Sequence, residues 1–285
     1  AAGLKPKDLV GIPWRVALAL QSDGWWLRND IIWHKPNPMP ESVKDRCTRD
    51  HEYVFLLSKS EHYFFDHEAI KEPLAGASVD RLTQPTIAQQ HGSDRQPGKS
   101  NGPMKAVGGE NGKRNKRTVW KVTTANYAGA HFATYPPDLI SPPILAGTSQ
   151  RGVCPICGAP WERVVENGFT AHDGETESLY KKGSAANRLS LLRQAARARG
   201  EEYVNKTKTV GWQPACAHDA DPVPAVVLDP FAGSGTTGEV CRETGRRFIG
   251  LDLNEHYLRN LALPRAELKQ TRASLEALPM FGGRP

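Results

Sequence analysis

Apolar positions follow a regular pattern near both ends of this chain and lose it through a long polar stretch between them. Over residues 6–22 apolar side chains recur at helical spacing. Leu9, Ile12, Val16 and Leu20 share one face, and Pro6 suits a first turn, so a helix kinked at Pro13 is expected. "WWLRNDIIWHK" predicts a buried strand over 25–34, and "PNPMPESVKDR" a proline-rich loop. "HEYVFLLSKSEHYFFD" predicts strands over 51–58 and 63–66, the first apolar enough to lie centrally in a sheet.

From about residue 73 to 117 the periodicity stops, and Gln, Gly, Asn, Ser and basic residues dominate. A loop of this length is uncommon inside a compact domain unless it is functional or mobile. Order returns at "TVWKVTTANYAGAHFATYPPDLISPPILAGT". A basic, Ala-rich helix is expected around 188–199. The last ordered segment predicts strand 225–231, helix 236–244, strand 247–253 and helix 255–270.

Composition narrows the class. With 285 residues, 39% of them hydrophobic, the chain can bury a sizeable core. No apolar run approaches the length of a membrane span. The opening "AAGLKPKDLVGIPWRV" has neither a signal-peptide core nor an initiator Met. Five unevenly spread cysteines argue against a secreted disulfide scaffold and for a reducing cytoplasm. The net charge of +6 favours a polyanionic partner. Part of that excess lies between Pro73 and Trp120, where eight Lys or Arg face three Asp or Glu.

The candidate chemistry centres on "VVLDPFAGSGTTGEV". Gly233, Gly235 and Gly238 fit G-x-G-x-x-G between a strand and a helix, the spacing of a dinucleotide cradle. Asp252, ending the next strand, could accept hydrogen bonds from ribose hydroxyls. Spacing alone leaves an NAD-binding oxidoreductase open. A P-loop is excluded, since no Lys-Ser/Thr follows the glycines. The cradle comes so late that strands 25–34, 51–58 and 63–66 must complete its sheet, an unusual order for a dehydrogenase.

"DPFAGSGTTGEVCRETGRRFIGLDLNEHY" resembles the S-adenosylmethionine-binding region of DNA amino-methyltransferases that modify adenine N6 or cytosine N4. The similarity is to the permuted group, in which the catalytic half precedes the cofactor half. "LKPKDLVGIPWRVALAL", "DGWWLRNDIIWHKPNPMPESV" and "HEYVFLLSKSEHYFFD" resemble its catalytic-half segments. The fold this implies is α/β, a Rossmann-like methyltransferase with a mixed, mostly parallel sheet in permuted order. The resemblance implies that Asp229, Phe231, Gly233, Ser234 and Gly235 line the cofactor, with Thr236 and Thr237 offering hydroxyls and Asp252 taking the ribose diol. "HFATYPPDL" is similar to the family's H-P-x-x-K-P segment: His131, a candidate cofactor contact, and Pro136 fit, while Phe132 and Tyr135 depart from it. A second reading keeps the fold as a scaffold in a non-catalytic, zinc-containing DNA-binding protein.

The family's catalytic motif is Asp, Asn or Ser, then Pro-Pro and an aromatic residue on which a flipped base can stack. "SPPI" at 141–144 lacks the aromatic, so the catalytic residues are expected upstream of Ala1 and this chain alone is expected to be inactive. The implied partner is double-stranded DNA with a flipped target base, with adenine preferred slightly over cytosine and a restriction nuclease as a possible companion. A cytoplasmic, bacterial or phage-like setting follows. Candidate DNA contacts are Lys35, Asn37, Lys44 and Arg46 in the proline-rich loop, with His51 and Glu52 facing the same cleft. Lys113, Arg114, Lys116 and Arg117 in the polar stretch are further phosphate contacts.

Cys154-x-x-Cys157 and Cys216-x-His218 bring two soft-ligand pairs suited to tetrahedral zinc. They predict a structural metal stapling a zinc-ribbon-like insertion. The expected organisation is thus a catalytic half (1–72), a basic target-recognition region (73–120), a connecting segment (121–150), the insertion (151–222), the cofactor half (223–270) and a tail (271–285).

Overall fold

A computed structural model describes residues 3–76, 113–124, 134–169 and 205–266, without the side chains of 166–169 and 205–208. The helix expected over 188–199, the tail beyond 266 and His131 lie outside the described residues. The chain divides into two compact units, the second drawn from 70–116 and 162–213. The first unit contains both the beginning of the chain and the late glycine segment.

Helix α1 (Ile12–Ser22) starts later than the expected Pro6. Gly11 enters it in the left-handed conformation at φ 67°, and Pro13 then falls in the first turn, where its missing N–H breaks no bond and causes no kink. Its buried face is also rotated from the one expected. Trp14 packs edge-on against Phe55 at 4.9 Å and Tyr53 at 5.7 Å, and Ala17 is buried. Ile12 and Val16 remain 57% and 54% exposed. The aromatic pair on the sheet outcompetes the aliphatic stripe because large rings bury more area.

Strands β1 (Trp26–His34) and β2 (His51–Ser58) pair antiparallel, with Trp33 opposite Glu52 and His34 opposite His51. Short strands β3 (Glu72–Pro73) and β4 (Lys113–Arg114) pair in the second unit. Strand β5 (Val119–Lys121) runs parallel to β1 on its free side. Among the described residues β1 is therefore central, and β2, expected to be central, pairs on one side only. The expected strand at 63–66 does not form. Asp66 instead donates its N–H to Ala146 O at 2.9 Å, in the last turn of α2 (Pro137–Gly147).

In the late segment β8 (Val226–Asp229) and β9 (Arg247–Gly250) pair in parallel, connected through α3 (Thr236–Glu243). Between these and α2, β6 (Trp161–Phe169) pairs with β7 (Asn205–Pro214). After β9, Asn254 caps α4 (Glu255–Tyr257) by accepting from His256 N at 3.0 Å. A π turn at Leu258–Ala262 and α5 (Leu263–Arg265) follow, where one regular helix was expected. Pro264 lacks the N–H that a regular α-helix would use there.

The mixed ladders and the helical connection between β8 and β9 make this an α/β fold. The expected single continuous sheet is not observed: among the described residues no ladder joins β8–β9 to β2–β1–β5. Helix α2 makes the connection through side chains. Leu139 packs with Trp33 and Trp120, while Ile140 and Ile144 pack with Val240, Cys241 and Phe248. Buried Arg246 reinforces this, its guanidinium donating to Thr148 Oγ1 at 3.1 Å and Thr148 O at 3.2 Å. Among the described residues no helix is long and apolar enough to cross a membrane.

Candidate active site

The glycine segment occupies the carboxyl ends of two parallel strands, where open α/β sheets bind their ligands. After β8 the chain turns through Pro230–Gly235 into α3. Gly233 and Gly235 hold φ of 51° and 81°, which side-chain-bearing residues resist. Gly235 has a second constraint: a Cβ there would lie 2.6 Å from Ala262 Cα. A Cβ at Gly238 would meet the Phe248 ring at 2.8 Å. These two glycines bring α3 against its neighbours, and the turn itself stays open on the side where Phe231 is 83% exposed.

The acids stiffen the turn from beneath. Asp229 Oδ1 accepts from Phe231 N at 3.0 Å, and Asp252 Oδ2 accepts from Gly233 N at 2.8 Å. Asp252 Oδ1 accepts from Asn254 N at 2.8 Å, so this residue acts as a strand-end cap. A carboxylate has about four acceptor positions, so Asp252 retains capacity for a diol.

Ser234, Thr236 and Thr237 are buried, and their hydroxyls are engaged by neighbouring side chains. Arg265 Nη1 donates to Ser234 Oγ at 3.0 Å and Thr236 Oγ1 at 2.9 Å, while its Nε pairs with Glu239 at 2.6 Å. Thr237 Oγ1 donates to Asp229 Oδ2 at 2.6 Å. The same carboxylate oxygen accepts from the Tyr135 hydroxyl at 3.0 Å. Burial pushes the Tyr135 phenol up to about 12. Neither Tyr135 nor Arg265 was legible as a site residue. The available signal for Tyr135 was its place at the Lys position of H-P-x-x-K-P, which reads as a departure until its hydroxyl is seen to reach Asp229.

The "SPPI" stretch lies inside α2, with Ile144 4% exposed and packed on Val240. It cannot present a platform to a base. The sequence has one other Pro-Pro pair, Pro136–Pro137, and Asp138 follows it.

Near α1 an open cleft of about 390 Å³ is lined by Pro13, Lys35, Glu41, Arg49, His51, Glu52 and Tyr53. It brings together the proline-rich loop and the start of β2, as expected for His51 and Glu52. Lys35 pairs with Glu52 and lies 4.5 Å over the Trp33 ring. Asn37 donates to Thr124 Oγ1 at 2.8 Å, and Arg46 to Glu41 at 2.7 Å. Lys44 is exposed. Arg114 pairs with Glu72 at 2.9 Å beside exposed Lys113 in the second unit. Lys116 and Arg117 follow β4 and are exposed or partly so. Several of these cations are thus committed to carboxylates, which the sequence pattern did not show.

Cys154, Cys157, Cys216 and His218 converge, their ligand atoms all within 4.8 Å of one another, and all four belong to the first unit. Cys47 is exposed and Cys241 buried, both away from this cluster.

Residues 5–154 and 222–263 match the profile of the N6_N4_Mtase family, described as DNA methylase; the match passes over 155–221. The chain is 36% identical over 269 residues to the Type II methyltransferase M.Cfr9I of Citrobacter freundii, covering 94% of this chain and 54% of that protein. It is 34% identical to M.XycI of Xanthomonas campestris pv. cyanopsidis over 256 residues, 90% of this chain and 50% of the relative. With M.SmaI of Serratia marcescens the identity is 34% over 255 residues, 90% of this chain and 51% of the relative. The chain spans about half the length of the curated relatives it matches. The oxidoreductase alternative has no comparable support. With most of its length, from the first helix through the glycine turn, matched to one profile, the chain belongs to the N6/N4 DNA methylase family.

Proposed function

We propose that these residues form the cofactor-binding portion, and part of the DNA-binding portion, of an S-adenosylmethionine-dependent DNA methyltransferase of the permuted group. The acceptor is the exocyclic amino group of adenine (N6) or cytosine (N4) in duplex DNA. The observation that carries this reading is the open turn Pro230–Gly235 at the carboxyl ends of parallel β8 and β9, braced by Asp229 and Asp252.

Bound S-adenosylmethionine would supply an electrophilic methyl group to an exocyclic amine: the new N–C bond would form as the C–S bond breaks, the sulfonium leaving as a neutral thioether and the amine giving up one proton. The chain's own part is positional. Phe231 offers an exposed ring to the adenosine, Gly233 lets the main chain approach, and Asp252 accepts from the ribose diol. Asp229, held by Thr237 and Tyr135, fixes the turn's amides in place, so that little reorganisation is required when the cofactor binds.

The cleft around Lys35, Arg49 and His51, with Asn37, Lys44 and Arg46 on the adjoining loop, supports a place for DNA beside the first unit. Lys113, Arg114, Lys116 and Arg117 add phosphate contacts. The insertion falls where the family match is interrupted, in keeping with an addition to the transferase framework. The Type II names of the relatives favour a cytoplasmic restriction–modification setting, with a nuclease acting on the same DNA.

Transfer of a labelled methyl group from S-adenosylmethionine to duplex DNA by the complete polypeptide carrying these residues tests the proposal. Hydrolysis of the product distinguishes N6-methyladenine from N4-methylcytosine. Label found in neither base would contradict it.

A further inference from the structure

We propose that Cys154, Cys157, Cys216 and His218 bind one zinc ion in a closed, structural centre at the root of the 162–213 excursion. The geometry favours a metal over loosely associated thiols. A tetrahedral site with Zn–S near 2.3 Å and Zn–N near 2.0 Å has sulfur–nitrogen edges of about 3.6 Å. Cys154 Sγ lies 3.7 Å from His218 Nδ1, and all four donor atoms fit within 4.8 Å.

Main-chain bonds support this convergence. Cys154 N donates to Ala159 O at 2.8 Å, and Gly158 N donates back to Cys154 O at 2.9 Å. Gly158 closes that knuckle at φ 74°. Ala215 N donates to Pro160 O at 3.1 Å, bringing the second ligand pair alongside the first.

The donor set selects the ion. Three thiolates and an imidazole suit zinc and disfavour magnesium or calcium, which take oxygen ligands. Four protein donors leave no position for water or substrate, so the centre staples the fold and takes no part in transfer.

Its position gives the staple a purpose. The chain departs on its excursion soon after Cys157 and returns just before Cys216, so a shared ion closes that loop. The knuckle also grips the approach to β8. Val153 and Val223 exchange main-chain bonds of 2.8 and 2.9 Å, and Gly152 sits so close that a Cβ would lie 2.3 Å from Val223 O. The centre therefore fixes the segment that feeds the glycine turn, and it holds whether or not that turn binds S-adenosylmethionine.

Elemental analysis of the untagged chain, purified without chelator, is expected to find close to one zinc per chain. Replacement by cobalt should give the visible bands of a tetrahedral, thiolate-rich site. Cys216→Ser should lower zinc content at least tenfold, and His218→Cys and the control Cys47→Ser should retain it. If Cys216→Ser does not fold, the cobalt spectra of the wild type and His218→Cys decide. Folded wild-type chain that holds neither zinc nor cobalt, or full zinc retention in folded Cys216→Ser, would overturn the proposal.

Discussion

Tyr135 donates its phenolic hydrogen to Asp229 Oδ2 over 3.0 Å, tying the segment that leads into α2 to the end of β8. The Thr237 hydroxyl donates to that same oxygen. One carboxylate thus joins the connecting segment, the strand and the first turn of α3, and its other oxygen holds Phe231 N.

Removing the phenolic oxygen should weaken the assembly modestly. Tyr135→Phe leaves Thr237 on Asp229, so the expected loss is about 1.5–3 kcal/mol, one hydrogen bond to a carboxylate. Urea unfolding of the two proteins measures it. A pH series adds a sign. The phenol is raised from 10.0 unfolded to about 12 folded. Its contribution is therefore complete below pH 10 and fades between about pH 10 and 12. The Tyr135→Phe protein should lack that part of the profile.

Gly235 and Gly238 should differ in tolerance. Alanine at Gly235 combines a left-handed φ with a Cβ 2.6 Å from backbone, and should cost about 2–4 kcal/mol. Alanine at Gly238 meets side chains, the Phe248 ring at 2.8 Å and Ala266 Cβ at 3.0 Å, and lacks the left-handed backbone strain. Thermal unfolding should rank Gly235→Ala clearly below Gly238→Ala.

The turn is also supported from the chain's far side. Arg265→Ala would leave Glu239 partly buried without its cation and deprive two hydroxyls of a donor. A loss of about 3 kcal/mol is expected. Adding Glu239→Gln should recover part of it, as a double-mutant cycle would show.

DNA affinity should follow which cations are free to pair. Lys44→Ala should weaken duplex binding and reduce the salt slope by about 1, the value for one phosphate contact. Arg46→Ala should do less to that slope, because Arg46 already pairs with Glu41 at 2.7 Å. Titrations at several salt concentrations compare the two.

Local pattern made several elements legible. The apolar runs of β1, β2 and β8 and the strand–glycine–helix order around α3 are properties of neighbouring residues, and each element formed close to its expected place. The two metal-type pairs, CxxC and CxH, were legible as local spacings, and their meeting depends on the long-range bond from Ala215 N to Pro160 O. What escaped depends on distant partners. Tyr135 meets Asp229, and Arg265 meets Ser234, only after the chain has folded. The rotation of α1 follows from Trp14 finding Phe55, and the bonds of Ser234, Thr236 and Thr237 to Arg265 and Asp229 likewise join residues distant in sequence or brought together by the turn. A strand at 63–66 failed because Asp66 found its acceptor on α2 rather than on a neighbouring strand.

The most direct measurement is calorimetric titration of S-adenosylmethionine, and separately NAD, into the wild-type chain and Asp252→Asn. One S-adenosylmethionine should bind per wild-type chain and NAD should not, with the substitution weakening binding at least tenfold, as loss of a charged hydrogen bond to the diol requires. A folded chain that takes up NAD alone, or that binds S-adenosylmethionine equally well with and without the Asp252 carboxylate, would contradict the account.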